Sequence, residues 1–279
     1  PYKVLCQEAM RKLDTFALFN EQGGFNQVSF ESKVKELLAK QNNLVVILNT
    51  PGHNATGYSL TNEEWDGVLN CLKELATDQT KRIVPLIDVA YLDYAGEKNA
   101  VRAFMKKLGG LPENIMPILG FSMSKGHTMY GQRTGAMIGV SSSQKIIQEF
   151  EDINQYSSRA TWSNINRGCM RLLATIAADS SLQTQLEQER EGYYRMIRDR
   201  AAIFTNEAAI ANLTMLPYVA GFFITVPAKN PDAACNKLHE SNIFAVPLAK
   251  GIRFAVCAVP THKMSGIAEK FAAAIRATE

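Results

Sequence analysis

The sequence predicts an α/β protein: a mainly parallel sheet with flanking helices, then a small α+β unit at the carboxyl end. Two observations carry this expectation. Through the first 145 residues, apolar runs of strand length alternate with segments of helical periodicity, as in a βαβ succession. Beyond residue 180 a long charged helical pattern leads into a short run that reads strand, helix, strand, strand, helix.

Strands are expected at 15–19, 44–49, 83–89, 115–122 and 136–140, each a short run rich in branched or aromatic residues. Helices are expected between them at 30–41, at 62–78 behind the start signal Ser-Leu-Thr-Asn-Glu-Glu, and at 99–108 before Gly109-Gly110. Further helices are expected at 143–156 and 166–178, and a long charged one at 181–213. The carboxyl-terminal pattern places strands at 221–226, 243–246 and 252–257 and helices at 231–241 and 262–277. The expected division is a large unit over 1–190 and a small one over 191–279. No repeat or low-complexity tract interrupts this order.

Bulk composition narrows the functional classes. At 279 residues and 46% hydrophobic, the chain can bury a sizeable core. Lys+Arg 30 against Asp+Glu 27, with no basic stripe or aromatic-basic interleaving, argues against nucleic acid as a partner. No apolar run reaches the roughly 18 to 20 residues of a membrane span, and no signal-peptide pattern opens the chain, so a cytoplasmic protein with no membrane partner is expected. The five cysteines are scattered without a C-x-x-C pair, and the four histidines lack metal-ligand spacing, so neither a disulfide framework nor a metal is expected. The chain starts at Pro1 without a methionine and reads as a piece of a longer protein.

Three expected strands end in polar residues where a loop begins: at Asn49 before the loop that holds Asn54, at Asp88, and at Gly120 before Lys125. Ligands of open α/β sheets sit outside the carboxyl ends of strands, so Asn54, Asp88 and Lys125 are expected to face one crevice. The segment from Gly120 to Gly135 closes an apolar run with Ser122, Ser124 and Lys125 and then adds Arg133. A lysine amine forms a Schiff base with a carbonyl, while hydroxyls and a guanidinium hydrogen-bond a phosphate. That pairing suits a phosphorylated aldehyde, and pyridoxal 5'-phosphate has both groups. Taken alone, Lys125 reads as a solvated lysine and Arg133 as a surface arginine before a strand. Tyr130 reads equally as core packing or as a hydrogen bond that orients the lysine or the phosphate.

Asp88, otherwise a loop or cap residue, would favour a protonated pyridine ring by direct charge pairing. Tyr91 and Asn54, the latter otherwise a turn asparagine, would hydrogen-bond the ring's 3-oxygen. Arg253 lies in an apolar strand pattern and reads either as a solvated face or as the planar fork that a substrate α-carboxylate requires.

These motifs together resemble the fold-type I, class I/II aminotransferases of the aspartate/aromatic aminotransferase superfamily, over the carboxyl-terminal two-thirds of such a protein. The family's Asn-Pro-Thr-Gly appears as Asn54-Ala55-Thr56-Gly57, its Asp-x-x-Tyr as Asp88 to Tyr91, and its Ser-x-x-Lys as Ser122 to Lys125. Its phosphate arginine is matched by Arg133, its carboxylate arginine by Arg253, and its Arg-x-x-x-Ser-Asn by Arg159 to Asn164. The resemblance implies a homodimeric, pyridoxal-phosphate-dependent aminotransferase acting on an amino acid and a 2-oxo acid. Lys125 would hold the cofactor and carry the proton, and Arg159 would reach the neighbouring subunit's site to bind a side-chain carboxylate. Two alternatives share the motifs: a carbon-sulfur β-lyase of the same fold, and a catalytically incomplete fragment with a structural or dimerising role. Ala55 departs from the family's proline and removes a φ restraint. In the family the amino-terminal arm, first strands, phosphate loop and ring-stacking aromatic precede the position of Pro1, so the sheet is expected to show unpaired edges.

Overall fold

Alternation of apolar runs with amphipathic segments in the first half produces a sheet with helices packed on it, and the computed structural model of the protein describes residues 2–279. Helix α1 (Tyr2–Glu8) opens the described chain with no buried residue. Helix α2 (Gln27–Lys40) starts where Asn26 Oδ1 accepts from Ser29 N at 3.0 Å. Helix α3 (Asn62–Leu75) starts at a reciprocal cap: Glu64 N donates to Thr61 Oγ1 at 3.2 Å and Thr61 N to Glu64 Oε2 at 2.9 Å. A side-chain cap of this kind stabilises a helix by about 1 kcal/mol. Glu64 Oε1 also accepts from Tyr58 Oη at 2.6 Å and Phe25 N at 2.7 Å, so one carboxylate anchors the helix start to two loops.

Strands β1 (Asn43–Asn49), β2 (Arg82–Asp88) and β3 (Ile118–Ser122) run parallel, and β4 (Gly135–Gly139) joins β3 antiparallel, in the order β1-β2-β3-β4. The antiparallel β4 has a simple cause. A parallel return needs a crossover that carries the chain back along the sheet, usually an α-helix, and residues 123–134 between β3 and β4 hold only the one-turn helix α4 (Met123–Gly126) and a 3₁₀ turn. Phe30, Val34 and Leu38 of α2 and Trp65, Val68 and Leu72 of α3 pack with Val46, Ile83, Ile87 and Ile115 in one core. Burying each such side chain contributes about 1.5–3 kcal/mol.

Helices α5 (Gln144–Thr161), α6 (Arg167–Ala178) and α7 (Ser180–Ile210) lead to the second unit. There β5 (Phe223–Pro227), β6 (Val246–Leu248) and β7 (Gly251–Ala255) form an antiparallel sheet in the order β5-β7-β6. Helices α8 (Pro231–His239) and α9 (Ile267–Arg276) cover it. Phe204 of α7 stacks on Phe254 of β7 at 4.8 Å and meets Phe271 of α9 edge-on. Among the described residues, no helix is long and apolar enough to cross a membrane.

Several expected elements differ. The strand at 15–19 is absent; Phe19 makes a single bridge to Phe25. The strand expected from 115 begins at Ile118, one residue after Pro117, which has no N–H to give the ladder. The helix expected at 99–108 is a 3₁₀ turn, Ala103–Leu108. Helix α9 starts at Ile267, not 262, because Gly266 sits in the left-handed region at φ 80° ahead of it.

Candidate active site

Register places the site. Asn49 of β1 pairs with Asp88 of β2, and Asp88 pairs with Gly120 of β3, so β1 and β2 end level and β3 runs two residues further, to Ser122. The loop carrying Asn54, the Asp88–Tyr91 turn and the Lys125 turn therefore leave the sheet side by side.

Asp88 is held on every side that the chain offers. Its Oδ1 accepts from Ala90 N at 3.0 Å and its Oδ2 from Tyr2 Oη at 2.6 Å. Its backbone oxygen accepts from Thr50 N and from Asn49 Nδ2, both at 3.2 Å. Each carboxylate oxygen accepts about two hydrogen bonds, so both retain acceptor capacity for a cationic ring N–H. Burial, then the Asp88 contact, raises the Tyr2 hydroxyl's pKa well above the ordinary tyrosine value, which keeps it a donor.

Asn54 Nδ2 donates to Tyr91 Oη at 3.2 Å, so the amide and the phenol expected at one ring oxygen do meet. Asn54 N donates to Asn49 Oδ1 at 2.7 Å, and Asn54 Oδ1 accepts from Arg253 NH1 at 2.8 Å. The Tyr91 ring stands edge-on to Phe222 and Phe223, and burial raises its pKa. Neighbouring His53 is pushed down to about 4 by burial against a small opposing pull from Asp88; its neutral ring lies 2.9 Å from Thr56 Oγ1. The loop is locked to the second unit by Thr225 Oγ1, which donates to Ala55 O at 2.8 Å. Gly57, at φ 72°, cannot be replaced there, since a Cβ would lie 2.3 Å from the Tyr218 ring.

Arg253 comes from the middle of β7, opposite Thr225. Its guanidinium lies over the Phe223 ring at 4.5 Å, and its buried Nε has no hydrogen-bond partner. A buried N–H of this kind is costly unless a ligand satisfies it.

Lys125 is half-buried, with Nζ 5.2 Å from the Tyr91 ring centroid and 5.6 Å from that of Tyr130. Tyr130 is 67% exposed, which rules out the core-packing reading. Ser122 Oγ caps α4 by accepting from Ser124 N at 3.2 Å. Arg133, in the left-handed region at φ 54°, reaches Ser124 Oγ at 3.5 Å and donates to Tyr130 O at 2.8 Å. Arg159 is not brought to this crevice; it is exposed on α5 and bonds Ser163 Oγ.

A family model described as aminotransferase class I and II matches residues 1–271. The chain belongs to the class I and II aminotransferase family. An aminotransferase from Anaerococcus prevotii superposes with a TM-score of 0.96 at 38% identity, over 99% of this chain and 67% of that one. An aromatic-amino-acid aminotransferase from Burkholderia pseudomallei, covalently bound to pyridoxal phosphate, matches with a TM-score of 0.77 at 22% identity, over 98% of this chain and 66% of that one. A cytoplasmic aspartate aminotransferase from Dictyostelium discoideum is 25% identical over 195 residues, 70% of this chain and 42% of its own length. The chain thus spans less than half of that curated relative.

Within this family fold, the sequence motifs leave Tyr2 unmarked. Its hydroxyl reaches Asp88 across 86 residues of chain, and no local spacing signals that contact.

Proposed function

We propose that the protein is a pyridoxal-phosphate-dependent aminotransferase that moves an amino group between an amino acid and a 2-oxo acid. The observation that carries this reading is the row Asn49, Asp88, Gly120, which gathers an amine, an acid, an amide-phenol pair and a guanidinium around one crevice. The donor set fits the cofactor group by group: Lys125 for the aldehyde, Asp88 for the ring nitrogen, Asn54 and Tyr91 for the 3-oxygen, and Ser122, Ser124 and Arg133 for the phosphate. When bound, pyridoxal 5'-phosphate supplies an aldehyde that condenses with amines and a ring that draws electron density from the substrate's α-carbon.

The chain's own residues do the rest. Lys125 Nζ would bond the aldehyde carbon and, displaced by the substrate amine, would move the proton between the substrate's α-carbon and that former aldehyde carbon. Asp88 holds a proton at the ring nitrogen by charge pairing. Tyr91 and Asn54 orient the ring through its 3-oxygen. Arg253 grips the α-carboxylate, and its unpartnered Nε supports that role. An amino-transfer assay of the whole protein tests the reading: a 2-oxo acid should be converted to its amino acid without release of ammonia, and Lys125→Ala should abolish the turnover. Full turnover by that variant, or ammonia as the main product, overturns it.

We also propose that the chain divides within α7, near residue 190. Ile197, Ala201, Phe204 and Ala208 of that helix all join the second core, which supports the division. A homodimer is the proposed assembly, with Arg159 reaching a side-chain carboxylate in the partner's crevice. Its exposure on α5, beside exposed Tyr156 and Trp162, supports this. Arg159→Ala should then slow aspartate about tenfold while sparing phenylalanine; equal losses on both reject the role. A cytoplasmic location is proposed in line with the Dictyostelium relative's name; a fluorescent fusion found in an organelle would refute it.

A further inference from the structure

Behind Lys125 lies a charged cluster that the amino-transfer reading leaves unused. Arg190, on α7, donates Nε to Gly126 O at 2.6 Å. Its NH2 lies 3.0 Å and 3.2 Å from the two ring nitrogens of His127 and 3.6 Å from Asp93 Oδ2. Asp93, 13% exposed at its side chain, holds Arg102 at 2.5 Å with its other oxygen. Tyr94 Oη donates to Lys125 O at 3.4 Å. The carbonyls of Lys125 and Gly126 are thus both taken by donors from outside α4.

Gly126 shows how close the support is. A Cβ there would stand 1.8 Å from Asp93 Oδ2, so the lysine turn rests directly on the carboxylate and a larger residue would have to displace it. Burial, then the Arg190 charge, lowers the His127 pKa, so the ring resists taking a second positive charge beside the guanidinium. A helix of four residues has too few internal bonds to hold itself, because fixing the first turn costs more than its hydrogen bonds return. The turn that bears Lys125 therefore depends on this outside grip. The helix that supplies Arg190 continues through Ile197, Ala201 and Phe204 into the core that carries β7 and Arg253.

We propose that Arg190, seated on Asp93, is a positioning residue: it clamps the Lys125–Gly126 backbone to α7 and so fixes the lysine amine relative to the unit that carries Arg253. The proposal rests on Lys125 being the residue that binds the cofactor aldehyde.

The test follows capture of added pyridoxal 5'-phosphate by the whole protein, with borohydride quenching at timed intervals and mass mapping of the Lys125 peptide. Arg190→Met should slow capture per folded molecule about tenfold, the scale of one charge-assisted hydrogen bond, and Arg190→Lys should recover part of the rate. Asp93→Asn should slow capture in the same direction, whereas Arg195→Met, at an exposed arginine on the same helix, should leave it unchanged. A role limited to stability would lower the folded fraction and leave the rate per folded molecule at the wild-type value. Wild-type capture rates in Arg190→Met overturn the clamp; should that variant not fold, wild-type rates in both Arg190→Lys and Asp93→Asn do so. A wild-type protein that captures nothing at Lys125 removes the reading beneath the clamp, and the clamp with it, an outcome distinct from equal rates.

Discussion

At the end of the crevice between β2 and β7, the polar groups interlock: Asp88 bonds Tyr2 and Ala90, Asn54 bonds Tyr91 and Arg253, and Thr225 fastens the loop. At the other end Ser124 is buried and the backbone of Lys125 and Gly126 is held, but the side chains of Tyr130 and Arg133 stand in solvent. Arg133 is exposed, its reach to Ser124 is 3.5 Å, and Tyr130 is mostly exposed. The end proposed for the ring and the carboxylate is therefore held by hydrogen bonds within this chain, the fixed polar setting that acts most strongly on developing charge. The end proposed for the phosphate supplies donors, and at Tyr130 and Arg133 little surrounding structure fixes them.

That contrast separates chemistry from cofactor retention, and substitutions at the two ends should fail in different ways. The largest effect is expected from Asp88→Asn, which keeps the shape and removes the charge. It should slow α-proton exchange by about 10²-fold or more, on the scale of other electrostatic and acid-base groups. Unchanged exchange would show that Asp88 is not paired with the ring. Next, Arg253→Ala should lower kcat/KM about 10- to 100-fold for every amino acid and leave cofactor affinity nearly untouched. Arg133→Ala should do the reverse, raising the cofactor Kd by about tenfold while saturating cofactor restores kcat. If both arginine variants change the same parameter, the two ends are not distinct.

The same contrast marks what sequence alone reveals. The ends of the runs at Asn49 and Asp88 are visible because a buried parallel strand is an apolar run and the polar residue that closes it marks the exit to a loop; β3 runs past Gly120 and is closed by Ser122. The motifs around Asn54 and Lys125 follow those exits, whereas Arg253 lies mid-strand in β7 and stands out only through its resemblance to the family's carboxylate arginine. Tyr2 and Arg190 are not, because each acts through a long-range contact: one sits in a short helix with no buried residue, the other among charged residues of α7 that read as a solvated face. Helix α5 shows the converse failure. Ile153 and Tyr156 follow helical spacing and yet are 65% and 79% exposed, while Phe271 and Ile275 of α9 are buried, since an apolar stripe needs an opposing layer to pack against. The direction of β4 goes with a connection that has no crossover helix, a matter of local structure in residues 123–134 that the composition of β4 does not carry.

The central claim is that Lys125 is the amine toward which these strand ends are directed. Borohydride reduction of the protein after addition of pyridoxal 5'-phosphate, with mass mapping of all lysine peptides, tests it most directly. The account predicts one reduced-cofactor adduct, on the peptide containing Lys125, together with a visible absorption band that Lys125→Ala abolishes. An adduct at another lysine, or one spread evenly over surface lysines with no such band, would contradict it.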